Sequence, residues 1–200
     1  RVVGTNPLGI GVPSGDDHHF VLDMATTAIS GTRAMFAARS GEPLPWGVAV
    51  DADGAITTDP TASRSGGALL PLGSTAESGG AKGLGLALVV DLLSGLMSGT
   101  GSGLHQSYGP EWAQGYWFLA FRVDLFTDPD EFRREVAATN DVVRNSRLAD
   151  GADPVRVPGD GSAAARRRHL AEGIPLSPDV VAMCERFAGE LGVMFPAATS

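Results

Sequence analysis

Apolar residues recur at strand-like spacing in the first quarter of the chain. Residues 8–13 and 19–24 are two apolar runs separated by the turn-forming "SGDD", and this pattern predicts two short strands. Residues 26–39 predict a helix with a threonine as its N-cap and Gly41 just past its end. After it, "PWGVAVDADGAITTDP" predicts a strand, a turn at "DADG" and an extended tail. The segment 61–81, rich in glycine and serine, predicts a surface loop.

Longer apolar runs mark the middle of the chain. The run at 83–99 is interrupted by Asp91 and is short for a bilayer span, so residues 83–98 predict a buried helix and no membrane segment. A glycine-rich loop follows. The next segment is "YWFLAFRVDL" at 116–125, whose aromatic and apolar residues predict a central strand.

The last third of the chain predicts three helices and one strand. "DPDEFRREVAATNDVVRNSRL" has acidic residues in its first turn and basic residues toward its end, which matches the helix dipole. "PVRVPG" predicts a strand, and "SAAARRRHLAEG" predicts a helix that ends at Gly173. "SPDVVAMCERFAGELG" predicts a final helix with Ser177 as N-cap and Pro178 in its first turn. This order of elements indicates one continuous α/β body.

Composition and charge narrow the classes of function. Of the 200 residues, 43% are hydrophobic and 19% are charged, which is typical of a globular protein. The net charge is −8, and the one basic run, "ARRRH" at 165–169, predicts a solvated helix face, so we expect no nucleic-acid partner. The single cysteine, Cys184, cannot form an internal disulfide. We therefore expect a cytoplasmic location, no membrane partner and no metal cluster.

Lys82 is the only lysine of the chain, and it lies among glycines at the head of the apolar run. Gly79, Gly80, Gly83 and Gly85 leave the backbone bare. A ligand could approach such a backbone closely, and a helix starting there would offer free N–H groups to an anion. The spacing fits neither a P-loop nor a Rossmann fingerprint. The competing interpretation is a helix N-terminus packed through its glycines, with Lys82 merely exposed.

Two aspartates follow predicted strands. Asp23 ends "HFVL", where a carboxylate can orient a histidine or hold a substrate; capping of the helix predicted near residue 26 is the alternative. Asp160 lies between Gly159 and Gly161 in "RVPGDG", a strand–turn–helix setting in which backbone amides meet phosphates or ribose hydroxyls. A plain turn with Asp160 capping the helix is the equal competitor.

Six motifs together resemble one known family. "GTNPLGIGVP", "VLDMATT", "DGAITTDP", "LLPLG", "GGAKGLGLALVVDLLSG" and "RVPGD…GIPL" occur in the order seen in the type-2 malate/L-lactate dehydrogenases. That family includes ureidoglycolate, sulfolactate, 2,3-diketogulonate and Δ1-piperideine-2-carboxylate dehydrogenases or reductases. The resemblance covers essentially all of this chain, which corresponds to about the second half of a family member.

The resemblance implies an α/β, non-Rossmann NAD(P)-binding fold with a large, mostly antiparallel sheet flanked by helices, usually in a dimer. It implies a sheet domain at 1–160, lacking its N-terminal part, and a helical segment at 161–200. Asp23 matches the carboxylate that pairs with the catalytic histidine. The residues that match coenzyme contacts, with NAD or NADP as the coenzyme, are His19, Phe20, Val21, Leu22, Asp23, Met24, Ala25, Ala81, Lys82, Gly159, Asp160 and Gly161.

The family's catalytic histidine lies in a "SHG"-type motif that these 200 residues do not contain. None of the four histidines, His18, His19, His105 and His169, has the flanking residues of that motif. The resemblance thus implies hydride transfer between NAD(P)H and a 2-oxo/2-hydroxy acid or a cyclic 2-imino acid. The histidine would come from an N-terminal half or a partner chain, in a homodimer or heteromer. The alternative is a catalytically incomplete, dehydrogenase-like subunit that binds a dinucleotide or has a structural role.

Overall fold

The computed structural model describes residues 3–105 and 113–195, which form two compact units. The first unit comprises Arg1–Val12 with Val21–Phe132, and the second comprises Pro13–Phe20 with Arg133–Ser200. A loop between two strands near the N-terminus therefore belongs to the second unit. The domain boundary at residue 160 stays a prediction.

Strands in the first unit form two small sheets. Strand β1 (Leu8–Val12) pairs with β2 (Phe20–Met24), close to the predicted bounds. Strands β3 (Ala49–Val50), β4 (Ile56–Thr57) and β5 (Ala68–Leu69) form an antiparallel sheet in the order β4-β3-β5. The sequence prediction missed β5, which lies inside the segment expected to be a loop.

Helix α1 (Gly31–Ser40) packs on the small core of this unit, which consists of Ile29, Ala34, Leu44 and Ala49. The helix ends at Gly41 as predicted, and the glycine adopts a left-handed φ of 73°. The predicted start at residue 26 is wrong. Thr26 and Ala28 instead donate backbone hydrogen bonds to the carbonyls of Thr5 and Leu70, and Ser30 is the N-cap.

Helix α2 (Gly80–Asp91) continues into a π-helical turn at Leu92–Leu96. Its buried positions are Gly80, Gly83, Ala87 and Asp91, which share one face at helical spacing. Its leucines and Val89 are exposed, Val89 by 50%, whereas Val90 is partly buried. The prediction of a buried helix is therefore wrong for this chain, because only the face of small residues packs against described parts of the unit.

Two predicted strands are absent from the described residues. Residues 116–122 have no strand pairing, and Phe118 is 87% exposed; a 3₁₀ turn follows at Val123–Leu125. The segment "PVRVPG" likewise has no strand pairing. Both predictions were wrong because apolar and β-branched composition gives strand propensity, whereas a strand also needs a neighbour to accept its backbone hydrogen bonds.

Three helices form most of the second unit: α3 (Pro129–Arg144), α4 (Asp160–Glu172) and α5 (Pro178–Leu191). Helix α3 begins in the first unit's last residues and has acidic residues in its first turn and Arg144 in its last, as the dipole argument predicts. Helix α5 starts with Pro178 after Ser177 and ends at Gly192, in the left-handed region. None of the helices in the described ranges is long and apolar enough to cross a bilayer.

Candidate functional site

Strand β2 presents alternate side chains to solvent in the first unit. Val21 and Asp23 are exposed, whereas Leu22 and Met24 are partly buried, as expected for a strand with one covered face. Ala25 is partly buried and leads into Thr26, which is fully buried and whose N–H donates to Thr5 O at 2.9 Å. Strand β2, which carries predicted coenzyme contacts, is thus held at its C-terminal end, and the face that carries Asp23 is open to solvent.

The Asp23 carboxylate has no hydrogen-bond or ion-pair partner within residues 3–105 and 113–195. The alternative that Asp23 caps the following helix is wrong, because α1 begins at Gly31 and its cap is Ser30, whose Oγ accepts from Arg33 N at 3.2 Å. Asp23 is therefore a solvent-accessible carboxylate at the end of a strand, the setting in which an acid can orient a second group.

Lys82 lies in the first turn of α2 and is exposed. Gly79 precedes the helix with a left-handed φ of 95°, which a residue with a Cβ rarely adopts. Two of the first amides are already used inside the turn: Gly80 N donates to Thr75 O at 2.7 Å and Lys82 N to Gly79 O at 2.9 Å. An anion at this turn would therefore bind mainly to the Lys82 ammonium group and less to the helix amides.

The glycines around Lys82 divide between two roles. A Cβ on Gly83 would lie 2.2 Å from Leu72 O, and one on Gly80 would lie 2.3 Å from Ser74 O, so both glycines permit close backbone packing within the unit. A Cβ on Gly85 would meet nothing within 4 Å. The competing interpretation, packing through glycines, is therefore correct for Gly80 and Gly83, whereas the space beside Gly85 is open.

In the second unit, the turn Gly159–Gly161 opens helix α4. Gly159 has a φ of 106°, and its carbonyl accepts from Ala163 N at 2.9 Å. A Cβ on Gly161 would meet nothing within 4 Å, so the turn is open at Gly161. Asp160 differs, because its Oδ2 accepts from Val157 N at 2.9 Å and both of its oxygens accept from Arg144. The backbone of this turn can meet a ligand, whereas the Asp160 carboxylate is engaged by the protein.

Arg144 is at the centre of a charged network that the sequence prediction missed. Its guanidinium contacts the carboxylates of Asp16, Asp141 and Asp160 at 2.8–3.2 Å. The Arg144 hydrogen bonds hold the pKa of Asp160 far below its usual value of 3.8, and the Asp160 hydrogen bonds raise the pKa of Arg144. Asn140, at 3.0 Å, contributes most to the lowered pKa of Asp16. In the sequence, the only sign of this network was the spacing of Asn140 and Arg144, which places both side chains on one face of a helix.

The histidines of the loop 13–20 are tied to this network. His18 Nε2 lies 2.7 Å from Asp160 Oδ1, and His18 Nδ1 is buried without a hydrogen-bond partner in the described part of the chain. His19 is exposed, and its Nδ1 accepts from Ser14 N at 3.3 Å. Phe20 is partly buried. His18 therefore has a structural partner in Asp160.

Other candidate sites contain none of the predicted residues. No cluster of histidine, cysteine, aspartate or glutamate in the described ranges could hold a metal ion. A groove of about 920 Å³ lies along α4 and α5 and is lined by apolar residues such as Leu176, Val181 and Val193. None of the predicted coenzyme contacts lines this groove.

A solved structure defines the class of fold. The crystal structure of malate dehydrogenase from Entamoeba histolytica superposes with a TM-score of 0.90, over 98% of this chain and 60% of that chain, at 24% identity. The α/β class predicted from the sequence, with antiparallel strands flanked by helices, is thereby confirmed.

Sequence comparison gives the family. Residues 1–184 match the model of the malate/L-lactate dehydrogenase family, and the chain belongs to that family. The malate dehydrogenase of Pyrococcus abyssi (strain GE5 / Orsay) is 32% identical over 96% of this chain and 54% of the relative. The Delta(1)-pyrroline-2-carboxylate/Delta(1)-piperideine-2-carboxylate reductase of Pseudomonas syringae pv. tomato is 32% identical over 93% of this chain and 52% of the relative. The chain spans about half the length of the curated relatives it matches.

The residues of the first unit fit a dinucleotide in their chemistry. Lys82 has an exposed ammonium group, which suits a phosphate. Within the described residues this group forms no ion pair. The open backbone at Gly85 and the exposed face of β2 offer further room. In the second unit, the turn remains open at Gly161.

Proposed function

We propose that this chain is the coenzyme-binding part of an NAD(P)-dependent oxidoreductase. The reaction is hydride transfer between nicotinamide and C2 of a 2-oxo/2-hydroxy acid or a cyclic 2-imino acid. The observation that supports it most is the exposed, unpaired Lys82 at the head of α2 in a chain of the malate/L-lactate dehydrogenase family. The proposed coenzyme is NAD or NADP, and the proposed location is the cytoplasm.

In this proposal Lys82 binds the anionic groups of the coenzyme. A lysine ammonium is a compact, mobile charge that can follow a phosphate without a fixed geometry. Ala81 precedes it in the same exposed turn, and Gly85 lies one turn further along α2. His19 to Ala25 and Gly159 to Gly161 are the remaining proposed contacts, of which Asp160 contributes its backbone, since its carboxylate is engaged.

Asp23 has the proposed catalytic role of orienting a histidine. A carboxylate that accepts from one imidazole nitrogen fixes the tautomer and stabilises the imidazolium, so that the other nitrogen can hold and release a proton. The histidine is proposed to come from an N-terminal half or a partner chain, in a homodimer or heteromer. Bound nicotinamide would supply the hydride.

The second candidate function is a catalytically incomplete subunit that binds a dinucleotide or has a structural role. The observation in its favour is that none of His18, His19, His105 and His169 contacts Asp23 in the described residues. Under this alternative no added segment would restore turnover, whether the Lys82 turn binds coenzyme or the chain has only a structural role.

Complementation separates the two functions. The chain is mixed with the part of the Pyrococcus abyssi malate dehydrogenase that it does not match, and NADH or NADPH oxidation is followed at fixed 2-oxo acid or cyclic imine. We expect turnover only in the mixture, and a loss of roughly 10⁴-fold in kcat with Asp23→Asn, by analogy with loss of a histidine-orienting aspartate. Coenzyme binding without turnover would favour the incomplete subunit. Absence of both coenzyme binding and turnover would contradict the oxidoreductase proposal and leave only the structural role.

A further inference from the structure

Charged side chains in the second unit connect the loop 13–20 to the first turn of α4. We propose that Arg144 is a positioning residue for coenzyme binding: it holds His19 and Phe20 in one place relative to the turn Gly159–Gly161. The inference rests on the proposed function, in which both segments contact the coenzyme.

The Arg144 guanidinium faces two separate segments of the chain at once. Nε and Nη2 donate to the two carboxylate oxygens of Asp160 at 3.2 and 2.8 Å, which is the two-pronged geometry that suits arginine. Nη2 also donates to Asp16 Oδ2 at 3.1 Å. The side chain is 25% exposed, so water screens these charges less than it would on an open surface.

The loop end of the network is held at several points. Asn140 Nδ2 donates to Asp16 Oδ2 at 3.0 Å, and Asp16 N donates to the buried Ser14 Oγ at 3.2 Å. A backbone hydrogen bond also joins the loop to α3: Gly15 N donates to Arg133 O at 2.9 Å. Loop residues just before His19 are therefore attached to α3 by side chain and backbone together.

The helix end of the network is held equally well. Asp160 is the first residue of α4, between Gly159 and Gly161, and it accepts from Val157 N at 2.9 Å. His18 Nε2 contacts the same carboxylate at 2.7 Å, and His18 directly precedes His19. Asp160 therefore connects the turn to the loop, and Arg144 fixes both.

Removal of the guanidinium would leave the carboxylates of Asp16, Asp141 and Asp160 without their shared cation. Asp16 and Asp160 both accept from the same Nη2, so they lie close enough to repel each other once that group is gone. A lysine would restore the charge, but its single ammonium cannot make the two-pronged pair. We therefore expect the loop to move away from the turn in Arg144→Met and to be less ordered in Arg144→Lys.

The test combines amide hydrogen exchange of the free chain with titration of NADH and NADPH. The variants are Arg144→Met, Arg144→Lys and the double variant Arg144→Met with Asp16→Asn, which removes the repulsion between the side chains at positions 16 and 160. Arg186→Met is the matched control, because Arg186 is 64% exposed on α5 and pairs only loosely with Glu190 at 3.7 Å. All titrations are made at a temperature at which circular dichroism shows each variant fully folded.

We expect Arg144→Met to speed exchange at residues 14–20 and 157–163 and to leave α5 unchanged. Its Kd for the coenzyme should rise about tenfold or more, since small displacements of positioning groups have effects of that size or larger. The double variant should regain thermal stability but not affinity, and the control should match the wild type. A purely structural role predicts instead that affinity returns with stability.

Three results would overturn the inference. They are unchanged exchange in Arg144→Met, unchanged Kd despite faster exchange, and recovery of affinity in the double variant. In each of these cases the wild-type chain still binds coenzyme, and the proposed function stands. If the wild-type chain binds neither NADH nor NADPH, the proposed function itself fails, and this inference fails with it.

Discussion

Two alanine substitutions on helix α2 test how the Lys82 turn is built. A Cβ at Gly83 would lie 2.2 Å from Leu72 O and 2.5 Å from Leu72 N, whereas a Cβ at Gly85 would meet nothing within 4 Å. Leu72 cannot retreat freely, because its N–H donates to Thr26 O at 2.9 Å. Glycine-to-alanine substitutions at these two positions, two residues apart, should therefore change the free energy of unfolding in opposite directions.

The magnitudes follow from helix propensity and overpacking. Alanine in place of glycine within a helix is favourable by about 1 kcal/mol, so Gly85→Ala should raise the free energy of unfolding by up to that amount. Gly83→Ala gains the same propensity, but overpacking against a fixed backbone costs about 1–3 kcal/mol and sometimes more. We expect Gly83→Ala to be less stable than Gly85→Ala by roughly 1–3 kcal/mol, which is the overpacking difference between the two sites.

Urea unfolding followed by far-UV circular dichroism measures both variants against the wild type. The expected pattern is a lower midpoint for Gly83→Ala and an equal or higher one for Gly85→Ala, with similar m-values. Equal shifts of the same sign in the two variants would refute the packing role of Gly83. NADH titration of both folded variants then reports whether displacement of α2 also disturbs Lys82.

Three further predictions concern single side chains. Lys82→Met should weaken NADH binding at least about tenfold and Lys82→Arg less, because Arg keeps the charge; titration at two salt concentrations measures this. The lowered pKa of Asp160 gives stability that is complete above about pH 5 and is lost as the pH falls toward that pKa, so Asp160→Asn should flatten this decline in urea unfolding between pH 2 and 6. Asp91→Ala should cost about 1–3 kcal/mol, measured by thermal unfolding, because the buried Asp91 accepts from Ser102 Oγ and from Gly103 N, and both donors would be left without it.

The sequence predicted best the elements that carry their own local signals. Strands β1 and β2 flank a turn-forming run, and α5 begins with a Ser–Pro pair and ends at a glycine, so their bounds depend on neighbouring residues alone. The segment 116–125 failed for the complementary reason. Its aromatic composition favours a strand, but pairing depends on a neighbouring strand that no local pattern reveals.

The candidate site shows the same division. A lone lysine among glycines was visible in the sequence, but only the folded structure shows that Gly80 and Gly83 pack against the chain's own backbone while Gly85 stays open. The Arg144 network joins residues as far apart as Asp16 and Asp160, and such long-range ion pairs leave no periodic signal. Asp160 was therefore predicted as a ligand contact, although its carboxylate is engaged by Arg144.

A crystal structure of the 200-residue chain with NADPH bound tests the central claim most directly. The account predicts that Lys82 Nζ lies within hydrogen-bonding distance, roughly 3 Å, of a phosphate oxygen, with the coenzyme along the exposed face of β2. A coenzyme bound elsewhere, with the Lys82 side chain in bulk solvent, would contradict it.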